Sequence, residues 1–360
     1  MEDNDAVLTP GQRIQPPGSE QIVSDLLEKL YSLKVTRITV LNSYDDRNYH
    51  IICENLHKNP HIDSVSKDGY VLKIINSLDS KNSRVIDAQN EMLIYLNQRR
   101  INCPLPVKNM NGEYYSLETL TAQDAVESYA VKLLVYRPGT LLHRVPITSD
   151  LFRNVGRFTG KLDSVLKGFS HPAYDDHKTL WTLTSMPKLR QFTYVVKDDL
   201  EKDLVYQVID AFEKDVLRVI SKLEQGVIHG DLNEQNIVMS SNGEDITAVI
   251  DFGDSHRTCL IFELAIALCY MILQAGDMTM GKYVIEGYQD FRKLTELEKK
   301  ILKVTVCARI CQSLVMGAYS YLHDPQNDYL LITQKSGWAL LKNLWPVGQE
   351  EVLRRWGLTN

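Results

Sequence analysis

Three polar residues, Asp231, Asn236 and Asp251, have the types and spacing that phosphoryl transfer needs. They lie in the runs Val227-Ile228-His229-Gly230-Asp231-Leu232-Asn233-Glu234-Gln235-Asn236 and Val249-Ile250-Asp251-Phe252-Gly253-Asp254. Moving a phosphoryl group asks for little covalent chemistry and mainly for positioning and charge neutralisation. One carboxylate accepts the proton of the attacking hydroxyl, and hard oxygen ligands hold Mg2+. Asp231 suits the first role. Asn236 and Asp251 suit the second, because an amide oxygen and a carboxylate leave positions for nucleotide phosphates and water. Any one of them alone reads as a turn cap or a strand end; the ordered set carries the signal.

The elements around these residues explain how they could meet. A helical pattern ends near Gln225, and Ile237-Val238-Met239 and Ile246 to Ile250 flank a loop containing Asn242-Gly243, a hairpin signal. Closing that hairpin brings Asp231, Asn236 and Asp251 together. The surrounding region reads as helical: Thr148 to Gly168, Leu200 to Gln225, Cys259 to Gln274, Tyr283 to Leu294, Thr295 to Tyr321 and Ser336 to Arg355. The first third reads as a sheet, with strands at Val35 to Leu41, Asn48 to Cys53, Gly69 to Ile75 and Val131 to Tyr136. One amphipathic helix, Ser83 to Arg99, falls between the last two. Arg137-Pro138-Gly139 marks the change of pattern. The expected organisation is a flexible tail over residues 1–20, an N-terminal lobe over 21–136 and a helical lobe over 137–360. Lys73 sits inside the third strand, where an ammonium needs an anion such as a nucleotide phosphate.

Composition narrows the function. The chain has 360 residues, with 40 Lys and Arg against 46 Asp and Glu and a net charge of −6, which argues against a general nucleic-acid binder. Hydrophobic residues make up 44% and charged residues 24%, a globular balance that allows a large core. The acidic, Pro- and Gly-containing N-terminus is neither a signal nor a transit peptide. The longest apolar stretch, Leu260 to Leu273, contains Glu263 and falls short of a bilayer span, so no membrane partner is expected. Six cysteines form no CxxC pair and no HExxH occurs, which favours reduced core thiols, a cytoplasmic setting and no structural zinc. Gly276-Asp277-Met278-Thr279-Met280-Gly281-Lys282 fits GxxxxGK, but Tyr283 follows instead of Ser or Thr and no strand precedes it. It reads as a helix connection.

His229-Gly230-Asp231, Asn236 and Ile250-Asp251-Phe252-Gly253-Asp254 follow the kinase catalytic-loop and metal-loop pattern, with Gly in place of the usual Arg. With these motifs the chain resembles the aminoglycoside phosphotransferase and choline kinase group of protein-kinase-like enzymes. Leu41-Asn42-Ser43-Tyr44-Asp45-Asp46, Tyr70-Val71-Leu72-Lys73-Ile74 and Phe262-Glu263-Leu264-Ala265 are similar to the members of that group that act on 5-hydroxylysine.

The resemblance implies an α+β, bilobal protein-kinase-like fold, with a small antiparallel-sheet N-lobe carrying one main helix and a larger, mostly helical C-lobe. It also implies GTP or ATP as phosphoryl donor, Mg2+ or Mn2+ as metal, and a small amino-alcohol as acceptor. By the same resemblance Glu91 pairs with Lys73, Asp87 being the alternative. The loop Asn42 to Asn48 would cover the phosphates, with Ser43, Arg47, Asn48 and backbone N–H groups in place of a GxGxxG motif. Leu133 to Tyr136, including Val135 and Tyr136, would be the hinge that reads the purine. A dicationic amino-acid acceptor needs acidic partners and a cation, and Asp254, Glu263 and Arg257 are the candidates, Glu263 equally fitting a buried helix contact. Choline, homoserine or aminoglycoside acceptors, and a pseudokinase scaffold, are the alternatives.

Overall fold

Apolar residues at i, i+3, i+4 and i+7 put Val23, Leu26, Leu27 and Leu30 on one buried face of a helix, α1 (Glu20–Tyr31), entered through Ser19, whose side chain accepts the Ile22 N–H. The sequence reading places no helix there. In this computed structural model, which describes residues 7–122 and 125–359, the chain divides into two compact units between Pro138 and Gly139.

In the first unit α1 is followed by β1 (Leu33–Leu41), β2 (Arg47–His57), β3 (Tyr70–Ile74), α2 (Ser83–Gln98), β4 (Pro106–Val107), β5 (Ser116–Ala122) and β6 (Ala125–Val135). The strands pair antiparallel in the order β1-β2-β3-β6-β4, with β5 also on β6. The four expected strands are present; β4 and β5 are additions. The α1 face meets Leu33, Tyr49, Ile51, Leu72, Ile74, Val131 and Leu133 in one buried cluster, which fixes the register of β3 and so the place of Lys73. The expected flexible tail is fixed in part. Ile14 is buried and its carbonyl accepts the Ser77 N–H at 2.9 Å, while Gln15 Nε2 donates to the Tyr44 carbonyl at 3.1 Å. Residues 1–6 lie outside the described residues.

The second unit runs β7 (Thr140–Leu141), α3 (Ser149–Leu166), α4 (Asp199–Ala211), β8 (Gln225–Ile228), β9 (Ile237–Met239), β10 (Ile246–Val249), β11 (His256–Cys259), α5 (Leu260–Ala275), α6 (Gly281–Tyr288), α7 (Glu296–His323), α8 (Gly337–Leu344) and α9 (Gln349–Arg355). Its strands form two small sheets, β10-β9-β7 and β11-β8. The expected hairpin is β9 and β10. The helix expected over 200–225 stops at Ala211 and continues as a wider turn and then a tight 3-10 turn. The helix expected over 336–355 is two helices, because Pro346 has no N–H to continue the ladder.

α5 is apolar on all sides and buried from Leu260 to Ile272, and α7 packs against it. By length and composition α7 could cross a bilayer, but here it is mostly buried inside the unit, as a core helix of this size must be. α3 meets α6 through glycines: a Cβ on Gly156 would lie 1.9 Å from the Val284 carbonyl oxygen, and one on Gly287 would lie 2.0 Å from that of Arg153.

Candidate active site

The candidate catalytic loop, His229 to Asn236, leaves the end of β8 and enters β9, while residues 250–255 link β10 to β11. Because β11 pairs with β8 and β10 with β9, both loops emerge at adjacent strand ends. The Ile250 N–H donates to the Asn236 carbonyl at 2.9 Å, which fixes Asp251 beside Asn236. Phe252 packs edge-on against the His229 ring, with centroids 4.5 Å apart. Gly230 has φ of +83°, and a Cβ there would lie 2.3 Å from the Asp254 carbonyl oxygen, so the loop needs glycine at the position where the kinase pattern has Arg.

His229 is buried and neutral. Its Nε2–H donates to the Ile250 carbonyl at 3.0 Å, and its Nδ1 accepts the Asp231 N–H at 3.2 Å. Burial pushes its pKa down to about 4. The ring thus ties the two loops together and stays neutral near neutral pH.

Asp231 is held by three side chains. Its Oδ1 accepts from Arg309 Nη2 at 2.8 Å; its Oδ2 accepts from Asn233 Nδ2 at 2.9 Å and Asn236 Nδ2 at 2.8 Å. Burial pushes its pKa up to about 6, against the pull of the Arg309 charge. Asn236 Nδ2 donates a second time, to the Asp231 carbonyl at 2.9 Å, so both bonds fix the amide with its oxygen as the remaining acceptor. Asp251 is exposed and takes a left-handed φ of +59°, rare for a residue with a side chain. A neutral amide oxygen and a carboxylate on adjacent strand ends suit a hard divalent cation whose other ligands come from phosphates and water. Among the described residues no three His, Cys, Asp or Glu side chains form a complete cage.

Glu263, expected at the acceptor, has another place. It is fully buried in the first turn of α5, where its carboxylate accepts the backbone N–H of His229 and, at 3.2 Å, that of Gly230. Burial and the nearby Asp163 raise its pKa well above the ordinary carboxylate value, while the two N–H groups oppose this. Both oxygens are used, so Glu263 positions the catalytic loop and is withdrawn as an acceptor contact. Asp254 is half-buried, and its carbonyl accepts from His256 Nδ1 at 2.7 Å. Arg257 is exposed on β11.

Arg309 was missed. It lies on α7 between Ala308 and Ile310, and an arginine on so apolar a helix needs a buried anion. That mismatch was a signal available in the sequence.

In the first unit Lys73 is buried and its Nζ lies 3.0 Å from Asp46 Oδ2. Asp46 Oδ1 also accepts the Asn76 N–H at 2.8 Å and Asn76 Nδ2 at 3.0 Å. The ion pair of Lys73 thus reaches into the β1–β2 loop, and Glu91 lies exposed on α2. Ser43 Oγ donates to the Asp46 carbonyl at 2.7 Å, Arg47 Nη2 lies 3.5 Å from Gln15 Oε1, and Asn48 Oδ1 is buried without a partner among the described residues. Ser43 and Arg47 shape the loop from within. At the expected hinge the Val135 N–H donates to the Leu105 carbonyl at 2.8 Å and that of Tyr136 to the Gly69 carbonyl at 3.1 Å, so these two N–H groups are already paired. The Tyr136 ring stacks on His50 with centroids 3.9 Å apart.

A protein-kinase-like arrangement of this kind defines a phosphotransferase acting on an alcohol, and residues 38–297 match the Phosphotransferase enzyme family, to which the chain belongs. It is a small-molecule kinase by family. It is 35% identical over 356 residues to the hydroxylysine kinase of Xenopus laevis, covering 95% of this chain and 94% of that one. To the hydroxylysine kinase of Danio rerio it is 32% identical over 351 residues, covering 95% and 96%. Among solved structures, an amicoumacin kinase in complex with AMP-PNP and Ca2+ shares the fold at a TM-score of 0.66 and 18% identity, covering 93% of this chain and 97% of that one.

Proposed function

We propose that the protein transfers the γ-phosphoryl group of GTP or ATP to the hydroxyl of 5-hydroxylysine, giving 5-phosphohydroxylysine. The observation that carries this reading is the fixed orientation of Asp231 and Asn236, with the carboxylate of one and the amide oxygen of the other turned to different tasks. The acceptor oxygen attacks the γ-phosphorus as the bond from that phosphorus to the β–γ bridging oxygen breaks. The hydroxyl proton passes to Asp231, and the nucleoside diphosphate leaves. Asn236 and Asp251 would hold Mg2+ or Mn2+, which neutralises phosphate charge when bound. Lys73 is the phosphate-binding candidate of the first unit. The similarity to two hydroxylysine kinases over nearly their whole length supports the acceptor. Six free thiols support a reducing, cytoplasmic setting.

A phosphoryl-transfer screen tests the proposal: purified protein, Mg2+, GTP or ATP, and 5-hydroxylysine beside choline, homoserine and an aminoglycoside. 5-Hydroxylysine is expected to lead in kcat/KM, by up to ~10⁴ over acceptors that leave buried polar groups unpaired. Lysine, lacking the hydroxyl, is expected to show no turnover. Preference for homoserine or choline would refute the acceptor and leave the phosphotransferase chemistry in place.

A further inference from the structure

We propose that Arg309 and Gln312 on α7 staple the segment Leu180–Thr182 to the general base, and that the Trp181 ring on this segment contacts the acceptor. This inference deepens the proposed reaction and rests on it.

Arg309 is 1% exposed, so it cannot reach a substrate itself. All three of its nitrogens are engaged: Nη2 with Asp231, Nη1 with the Trp181 carbonyl at 3.1 Å and Nε with the Tyr270 hydroxyl at 3.1 Å. Its guanidinium carbon lies 5.0 Å from the Trp181 ring centroid and 5.5 Å from that of Tyr270. Gln312, three residues on and thus on the same helix face, donates Nε2 to the carbonyls of Leu180 at 2.9 Å and Thr182 at 3.3 Å. Three consecutive carbonyls of an irregular segment are therefore held by two side chains of one helix, and one of those side chains also holds Asp231.

The arrangement selects the oxygen that takes the proton. Oδ2 of Asp231 already accepts two N–H groups, whereas Oδ1 accepts only that of Arg309 and keeps a lone pair. The acceptor hydroxyl must then approach Oδ1, on the side where Arg309 carries Trp181. Trp181 is half-buried, and its ring lies against the Arg309 guanidinium that holds Oδ1. Arg309 and Gln312 are positioning residues; Trp181 is the contact that selects the acceptor.

The test compares wild type with Trp181→Phe, Gln312→Leu and Arg309→Lys, measuring kcat, KM for 5-hydroxylysine, Kd for Mg2+–nucleotide by calorimetry, and nucleotide hydrolysis without acceptor. Trp181→Phe is expected to raise the acceptor KM roughly tenfold, with nucleotide Kd within about twofold. Arg309→Lys keeps the charge but cannot hold Asp231 and the Trp181 carbonyl together. A loss of about 100-fold in acceptor kcat/KM is expected, again without change in nucleotide Kd. Hydrolysis relative to transfer should rise in Gln312→Leu and Arg309→Lys. An unchanged acceptor KM in Trp181→Phe, or equal losses for acceptor and nucleotide, overturns the inference. Should Arg309→Lys fail to fold, Trp181→Phe still decides, since it alters a half-exposed side chain. A wild-type protein that phosphorylates no hydroxylated amine refutes the proposed reaction, and the inference falls with it; an active wild type with indifferent variants refutes the inference alone.

Discussion

Replacing Glu263 should damage the catalytic loop without selecting among acceptors. Its carboxylate meets the N–H groups of His229 and Gly230 in a fully buried place, and leaving a buried donor unpaired costs about 1–3 kcal/mol. In Glu263→Gln one amide oxygen replaces two carboxylate oxygens and an NH2 group faces the second donor, a loss of about 1–3 kcal/mol. Glu263→Ala leaves both donors unpaired and adds a cavity, so about 2–6 kcal/mol is expected. All four tryptophans lie in residues 139–360, so intrinsic fluorescence during urea titration reads this unit alone. The Gln variant should also lose roughly 10- to 100-fold in kcat, because Asp231 follows directly on the two anchored residues. KM for the acceptor and Kd for the nucleotide should stay near wild type. A variant as stable as wild type whose only defect is a raised acceptor KM would refute this reasoning and return Glu263 to the acceptor.

Asp231→Asn should lower kcat by ~10²–10⁴ while calorimetry finds nucleotide affinity near wild type, since the lost group is the one proposed to take the hydroxyl proton; equal turnover would remove Asp231 from that role. Asp251→Ala should abolish the metal dependence of nucleotide binding, because the remaining amide oxygen of Asn236 carries no charge to hold a dication; unchanged affinity for Mg2+–nucleotide would show that Asp251 is no ligand. His256 is buried, and burial pushes its pKa down to about 4. Its unfolded form takes up a proton first as pH falls, so its contribution to stability is complete above about pH 6.5 and lost progressively toward pH 4, up to about 3 kcal/mol. His256→Gln should therefore narrow the stability difference between pH 7.5 and pH 5; an identical difference in both proteins would show that His256 titrates normally.

Much of the fold and the heart of the site were legible before any coordinates. The β-rich runs, the Asn-Gly hairpin and the 3.6-residue patterns are local features, and Asp231, Asn236 and Asp251 sit on either side of that hairpin, so local pairing suffices to join them. α1 was equally periodic, but it follows a proline-containing stretch that read as tail. The breaks inside two expected helices depended on backbone choices at Phe212 and Pro346 that long apolar patterns hide.

The sequence by itself determined which groups could accept a proton, hold a cation or meet a phosphate, because those are properties of side-chain type and short-range spacing. Tertiary structure alone decided their partners. Arg309 reaches Asp231 across 78 positions, Glu263 anchors the two backbone N–H groups just before Asp231, and Lys73 pairs with Asp46 of the β1–β2 loop. A buried charge must find its counter-charge wherever packing puts one, and that choice depends on how α5 and α7 lie in the second unit and how β2 pairs with β3 in the first.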